Sequence, residues 1–138
     1  MKVVLDTNCL VVWLPVTSPY YCLWSAFRDR RITLCYTTDI INEYSEVLAR
    51  FYSQQFVSDV INELLLSFNA IKANNYYKWN LLTDDPDDNK FVDGALNAGA
   101  DYLVSNDRHF EILKSVEFPP IAIIDIKTFK KIISMKSV

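Results

Sequence analysis

The stretch VVLDTN, residues 3–8, is an apolar run that ends abruptly at a carboxylate. Lys2–Leu5 has the composition of a short strand, and Asp6 follows it directly. A strand that stops at an acid places that acid at the rim of a sheet. Asp6 equally suits a loop or the cap of a following short helix, so its role depends on what the rest of the chain brings beside it.

Short apolar runs continue along the chain and alternate with helical patterns. Further strands are predicted at Ile32–Tyr36, Asp101–Ser105 and Ile121–Ile124. Apolar residues at helical spacing predict helices beginning at Ser18-Pro19, over Ile40–Phe51, over Phe56–Phe68, around Phe91–Leu96 and over Lys127–Ser134. The polar stretch of residues 73–88 is predicted to be irregular. Short apolar strands separated by helices favour an α/β fold with a parallel sheet covered on both faces.

The length and composition predict a single globular domain that spans residues 1–138. With 51% hydrophobic residues, the chain can bury a core without disulfides. Cys9, Cys22 and Cys35 are odd in number and lack metal-type spacing, which predicts reduced core residues of a cytoplasmic protein. No signal peptide is visible, and the apolar CLVVWLPV is far shorter than the ~20 residues that a membrane span needs.

Net charge and glycine content exclude two common ways of binding phosphates. A net charge of −3 provides no general attraction to a polyanion. The chain has only 2 glycines, Gly94 and Gly99, so the glycine-rich loops that cradle phosphates are missing. A nucleic acid would therefore have to be held by local basic residues or by bound cations.

Acidic residues recur beside predicted strand ends and helix starts. Asp107 follows the strand at 101–105 much as Asp6 follows the first strand, and ligands of parallel sheets bind beyond the carboxyl ends of the strands. Glu43 falls at the edge of its helix's apolar stripe, because each helical residue turns by ~100°. Asp88 lies in the first turn of the next helix. Each acid also has an ordinary role available, as a cap, a turn residue or, for Glu43, a partner of Arg50.

Three or four carboxylates at one end of a sheet would repel one another and would take up protons. A hard divalent ion resolves this conflict, since Mg²⁺ and Mn²⁺ prefer carboxylate and water oxygens. His109 is the only histidine and has no partner at metal or catalytic-triad spacing, which favours a surface or packing role.

Four ordered segments carry a resemblance to a known family. They are VVLDTNCLV, TTDIINEYSEVLAR, DPDDNKFVDGALNAGADYLVSND and FPPIAIID, and together they span nearly the whole chain. They resemble the PIN domain, specifically the bacterial PIN proteins that act as toxins of toxin–antitoxin systems. The third segment is the most specific, because an acid in DPDDNKF precedes GADYLVSND at the family's spacing.

The resemblance implies a three-layer α/β/α sandwich around a central parallel sheet and metal-dependent cleavage of RNA. Carried over residue by residue, the family's catalytic and metal-binding acids are Asp6, Glu43, Asp88 and Asp107, with Asn8 and Ser105 at accessory polar positions. The cofactor implied is Mg²⁺ or Mn²⁺, which lowers the pKa of a bound water and stabilises charge on the phosphoryl oxygens; a second ion would stabilise the leaving oxygen.

The chain departs from the family where a second acid commonly follows the fourth one by two residues. His109 stands there, which puts an accessory ligand role at that position in doubt. Arg50, Lys90 and Arg108 lie near the acids in sequence and are candidates for contacts with flanking phosphates or, alternatively, solvated surface charges.

The toxin assignment implies an RNA substrate, an antitoxin protein that docks near the acids, and a homodimer. One alternative is a catalytically weak PIN-like module that binds RNA or a protein partner without cutting. A haloacid-dehalogenase-like phosphatase fits less well, because its chemistry needs an acid two residues after the nucleophile and this chain has Asn8 there.

Overall fold

The computed structural model describes residues 1–74, 77–82, 86–115 and 120–136. These residues form a five-stranded sheet whose strands are β1 (Lys2–Leu5), β2 (Thr33–Tyr36), β3 (Ala70–Lys72), β4 (Tyr102–Val104) and β5 (Ile123–Ile124). The strand order is β3-β2-β1-β4-β5, and all neighbouring pairs are parallel. The predicted α/β fold with a central parallel sheet is confirmed.

Helices connect the strands. In the described part of the chain they are α1 (Thr7–Trp13), α2 (Tyr21–Arg28), α3 (Thr38–Leu48), α4 (Gln54–Leu66), α5 (Asn89–Ala98) and α6 (Ile126–Met135), with 3₁₀ segments at Pro86–Asp88 and Arg108–Ser115. Within these residues, no helix combines the length and the apolarity that crossing a bilayer requires.

The central strand β1 shows why the sheet is covered on both faces. Val3, Val4 and Leu5 are all fully buried, although successive side chains of a strand point to opposite faces. A parallel strand buried on both sides reads as a continuous apolar run, which is the pattern that opens the chain. Layers of helices on the two faces of the sheet give the α/β/α sandwich.

Local capping explains where two of the helices begin. The Thr37 side chain accepts a hydrogen bond from the N–H of Ile40 at 3.2 Å, and α3 starts immediately afterwards. Ser53 caps α4 in the same way through the N–H of Phe56, also at 3.2 Å. At the C-terminal end of α5, Gly99 adopts a left-handed backbone conformation with φ 64°, which residues other than glycine adopt at an energetic cost.

Several details differ from the sequence-based expectations. The helix expected from Ser18 begins at Tyr21, and the one expected to reach Phe51 ends at Leu48. The edge strand β3 was not predicted, because three residues paired on one side carry too little apolar pattern to distinguish them from a loop. Of the stretch predicted to be irregular, residues 75–76 and 83–85 lie outside the described residues.

The cysteines also differ in part from the prediction. Cys9 and Cys35 are buried as expected, whereas Cys22 is exposed on α2. Burial raises the pKa of the Cys9 thiol to about 12, so this residue stays neutral inside the core although it lies one helical turn from Asp6.

Candidate active site

A cleft of about 740 Å³ is lined by all four of the acids singled out from the sequence, Asp6, Glu43, Asp88 and Asp107. Asp6 comes directly after β1, and Asp107 comes shortly after β4. These two strands are neighbours at the point where the strand order reverses. Open parallel sheets bind their ligands at this position, because the connecting helices leave a crevice there.

Asp6 is the most enclosed of the four acids, with 6% of its surface exposed. Its N–H continues the sheet ladder by donating to the carbonyl of Val104 at 3.0 Å, and the hydroxyl of Ser105 donates to its Oδ2 at 2.8 Å. Burial raises the pKa of Asp6; the Ser105 hydrogen bond opposes this, and the charges of Asp107 and Glu43 add to the rise. A nearby cation would therefore stabilise the ionised carboxylate.

The end of β1 is also held from the helical side. Tyr44 on α3 is buried, and its hydroxyl donates a hydrogen bond to the carbonyl oxygen of Leu5, the residue before Asp6. Burial raises the pKa of Tyr44, with the charge of Asp6 adding to it, so the phenol remains a donor. This contact connects α3 to the strand end that presents the acid.

Glu43, on α3, also lines the cleft and has an internal cation beside it. The hydroxyl of Thr7 donates to its Oε2, and the ammonium of Lys90 is 2.8 Å from its Oε1. Lys90 also contacts Asp87 at 3.3 Å. Partial burial lowers the pKa of Lys90, but the bonds to Glu43 and Asp87 outweigh this and leave that pKa raised. In the structure Lys90 thus neutralises acids, a role that the phosphate-contact hypothesis did not include.

Asp88 and Asp107 converge with a third side chain, that of His109. One possible ligand atom from each residue lies within 4.8 Å of the others. The backbone N–H of His109 donates to Oδ1 of Asp107 at 2.9 Å, and the ring Nδ1 is 3.4 Å from the same oxygen. His109 was expected from the sequence to have a surface or packing role, and its convergence with Asp88 and Asp107 was not predicted. The available signal was its position, two residues after Asp107, where the family commonly has an acid.

The remaining candidate residues lie around the edge of this arrangement. Asn8 is exposed and lines the cleft. Arg50 lines it too, but its guanidinium pairs with Glu46 at 3.5 Å rather than with Glu43, so the pairing considered from the sequence is not the one found. Arg108 lines a neighbouring cavity of about 370 Å³, and Asp107 lines both this cavity and the acidic cleft.

Part of the stretch predicted to be irregular contributes to the lining of the cleft. Lys78 and Asn80 line the cleft from residues 77–82. This segment is tied to α5, because Asn89 exchanges two hydrogen bonds with the backbone of Leu82, at 2.9 and 3.0 Å. Asp93 accepts the N–H of Trp79 at 3.1 Å, so its carboxylate has a structural partner although it lines the same cleft.

The donor atoms present fit a divalent cation. Asp88 and Asp107 offer carboxylate oxygens, His109 offers an imidazole nitrogen, and Asp6 lies close enough for its charge to interact with that of Asp107. The carboxylates of Asp6, Glu43, Asp88 and Asp107 outnumber the ammonium group of Lys90, which lines the same cleft. Such clusters bind Mg²⁺ or Mn²⁺ through oxygen ligands, and the ion reduces the mutual repulsion of the acids.

Comparisons with known proteins concern the family and the fold of the chain. The PIN domain family matches residues 2–109, a range that includes all four acids. A chain of VapBC2 from Rickettsia felis, in a crystal structure bound to a DNA fragment from their promoter, superposes with a TM-score of 0.60 at 17% identity, covering 91% of this chain and 98% of that one. At this identity the likeness concerns the fold alone. A comparison with curated proteins gives no match.

Proposed function

Because the chain belongs to the PIN domain family, we propose that it is a metal-dependent endoribonuclease that hydrolyses RNA phosphodiester bonds. The catalytic and metal-binding residues are Asp6, Glu43, Asp88 and Asp107. One observation carries the proposal: four acids from four separate segments of the chain line a single cleft at the switch point of the sheet.

The residues have different tasks in this proposal. Asp88 and Asp107 hold the Mg²⁺ or Mn²⁺ ion. Asp6 adds negative charge to the site, and the hydrogen bond from Ser105 keeps its carboxylate in place. Glu43 lines the same cleft, where Lys90 balances its charge. When bound, the ion supplies a more acidic water molecule and stabilises negative charge on the phosphoryl oxygens.

Basic side chains at the cleft contact the rest of the RNA strand. Arg50 and Lys78 both line the cleft and are exposed. Phosphate contacts of this kind position a nucleic acid without reading its bases. Asn8 and Ser105 are accessory residues, Ser105 because it donates to Asp6 and Asn8 because it lies exposed at the entrance.

The protein is further proposed to be the toxin of a toxin–antitoxin pair that acts in the cytoplasm. The fold similarity to a chain of a VapBC complex and the family segments in the sequence support this assignment. An antitoxin would bind over the cleft and block access of RNA to the acids. Exposed apolar side chains, among them Phe51, Leu66 and Phe68, provide surface for antitoxin or homodimer contacts.

The test is cleavage of an end-labelled structured RNA by protein without its antitoxin. We expect cleavage with Mg²⁺ or Mn²⁺, none with EDTA, and none by the Asp6→Asn variant, whose circular dichroism spectrum should match the wild type. Asp59→Asn is the matched control, because Asp59 is exposed on α4 and bonds to Gln55 there. An unchanged rate in Asp6→Asn would reject the assignment, and equal cleavage of DNA of the same sequence would reject the specificity for RNA.

A second candidate is a PIN-like module that binds RNA or a protein without cutting. The ion pair of Glu43 with Lys90 favours it, because one of the four acids already has a cation partner within the protein. Titration of Mn²⁺ distinguishes the two functions. Thermal stabilisation and RNA binding without any cleavage would establish the binding module instead of the nuclease.

A further inference from the structure

We propose that His109 is a direct ligand of the divalent cation and that its imidazole makes this site select Mn²⁺ over Mg²⁺. The inference rests on the cation site of the proposed function and adds to it the choice of metal.

The geometry places His109 within reach of a shared ion. In octahedral coordination with ligands about 2.1 Å from the metal, adjacent ligand atoms lie about 3.0 Å apart and opposite ones about 4.2 Å apart. The Nδ1 atom of His109 is 3.4 Å from Oδ1 of Asp107, which is close to the adjacent spacing. The atoms offered by Asp88, Asp107 and His109 all lie within 4.8 Å of one another, which is close to the span of about 4.2 Å between opposite ligands of one ion.

The backbone around His109 holds this arrangement in place. Its N–H donates to Oδ1 of Asp107, which fixes the carboxylate relative to the ring. The next residue, Phe110, is fully buried and anchors the start of the 3₁₀ segment Arg108–Ser115. The N–H of Asp107 donates in turn to Ser105 at 3.0 Å, which connects the pair to Asp6. Asp107 and His109 are therefore held beside each other from both sides.

The donor chemistry then favours a transition ion. Mg²⁺ binds carboxylate and water oxygens and gives up its waters reluctantly. Mn²⁺ takes the same oxygen ligands but, as a first-row transition ion, accepts an imidazole nitrogen beside them more readily than Mg²⁺ does. A histidine in place of an acid also removes one negative charge from the site. Lys90 further reduces the negative charge by pairing with Glu43. Compared with a site made of acids alone, this site has less negative charge and one nitrogen ligand. We therefore expect its affinity for Mg²⁺ to be reduced more than its affinity for Mn²⁺.

The chain offers a direct spectroscopic test, because it contains 1 histidine. Electron spin-echo spectra of Mn²⁺ bound to tag-free protein report a nitrogen ligand, and an imidazole signal can come only from His109. We expect this signal in the wild type and its loss in His109→Asp and His109→Gln. Because the His109 side chain is 62% exposed, neither substitution threatens the fold.

Calorimetric titrations with each ion give the second readout. We expect His109→Asp to reduce the preference for Mn²⁺ over Mg²⁺ by about tenfold, as typical effects of altered metal surroundings suggest. Lys114→Gln is the charge-matched control, since Lys114 is exposed on the same 3₁₀ segment and its loss also makes the protein more negative by one. It should strengthen binding of both ions equally.

The possible outcomes distinguish a failure of the ligand role of His109 from a failure of the proposed nuclease function. Bound Mn²⁺ without an imidazole signal, or an unchanged ion preference in His109→Asp, overturns the role of His109, while RNA cleavage that depends on Asp6 leaves the nuclease standing. An imidazole signal without RNA cleavage under either ion overturns the nuclease and retains the ligand. A protein that binds neither ion overturns both.

Discussion

Ser105 donates a hydrogen bond of 2.8 Å from its Oγ to Oδ2 of Asp6, and the Oγ of Ser105 also accepts a hydrogen bond from the N–H of Asp107 at 3.0 Å. This hydroxyl therefore connects the acid after β1 with the acid after β4. Because both strands end at the same edge of the sheet, two residues 99 positions apart become neighbours. The relative position of two of the four acids depends on this contact.

Ser105→Ala is expected to lower cleavage activity and metal affinity by about ten- to a hundredfold, the range found for groups that orient metal ligands. Without the hydroxyl, the pKa of Asp6 rises further, since this hydrogen bond is the main influence that lowers it. The acidic limb of the pH–activity profile should move to higher pH. Ser105→Thr keeps the hydroxyl and should retain the wild-type limb. An unshifted limb in Ser105→Ala would show that the hydrogen bond does not tune Asp6.

Asp6→Asn is expected to raise the melting temperature of the metal-free protein at pH 7, although it abolishes cleavage. Burial raises the pKa of Asp6 above its ordinary 3.8, so keeping the carboxylate ionised costs stability at neutral pH. Asn removes that cost and can still accept from Ser105. For a chain of this size, each kcal/mol gained adds roughly 3 °C.

The sign of this effect sets its pH dependence. A raised carboxyl pKa contributes stability below the unfolded value, near 3.8, and that stability is lost as the pH rises through the folded value. The advantage of Asp6→Asn should thus vanish near pH 3 and be complete at pH 7. Calorimetry in EDTA at both pH values measures it, and a lower melting temperature at pH 7 would contradict the prediction.

Lys90→Met is expected to destabilise the metal-free protein by about 1–2 kcal/mol, between the values for exposed and buried ion pairs. Glu43 then loses the cation 2.8 Å from its Oε1 and remains half-buried with its charge uncompensated. Added Mn²⁺ should stabilise this variant more than the wild type. Lys72→Met, on the exposed edge of β3, is the control. Thermal unfolding with and without Mn²⁺ measures the two effects. Equal stabilisation of the variant and the wild type by Mn²⁺ would show that Lys90 and the ion do not compete for Glu43.

Tyr44→Phe and Tyr52→Phe form a matched pair. Each loses a hydrogen bond from a phenol to a backbone carbonyl, at Leu5 and Val11 respectively. Both variants should lose about 1 kcal/mol of stability. Only Tyr44→Phe should also weaken Mn²⁺ binding, because Leu5 precedes Asp6. Urea denaturation and calorimetric titration measure the two effects, and equal Mn²⁺ affinity in both variants would exclude a role of Tyr44 in positioning Asp6.

The acids illustrate how far sequence reasoning reaches. Asp6 and Asp107 could be placed at one edge of the sheet, because each follows a recognisable apolar strand and parallel strands share their direction. Glu43 could be placed at the edge of its helix's apolar stripe from the helical period alone. The ion pair of Glu43 with Lys90 could not be predicted, since it depends on how α3 and α5 pack against each other.

His109 shows the opposite limit. Its neighbours along the chain offer no metal spacing, yet the turn after β4 brings its ring to 3.4 Å from Asp107 and within 4.8 Å of an oxygen of Asp88. Such proximity depends on a local turn and on the start of α5, two features that no periodic pattern records. The edge strand β3 and helix α1 were likewise too short to produce a clear period.

The amino-acid sequence by itself determined the α/β class, the first strand and the acids available, because apolar runs and helical periods record burial along each element. Only the tertiary structure decided the strand order, the neutralisation of Glu43 by Lys90 and the convergence of His109 with Asp88 and Asp107. These are relations between distant segments, and packing in three dimensions, rather than local pattern, sets the distances between their side chains.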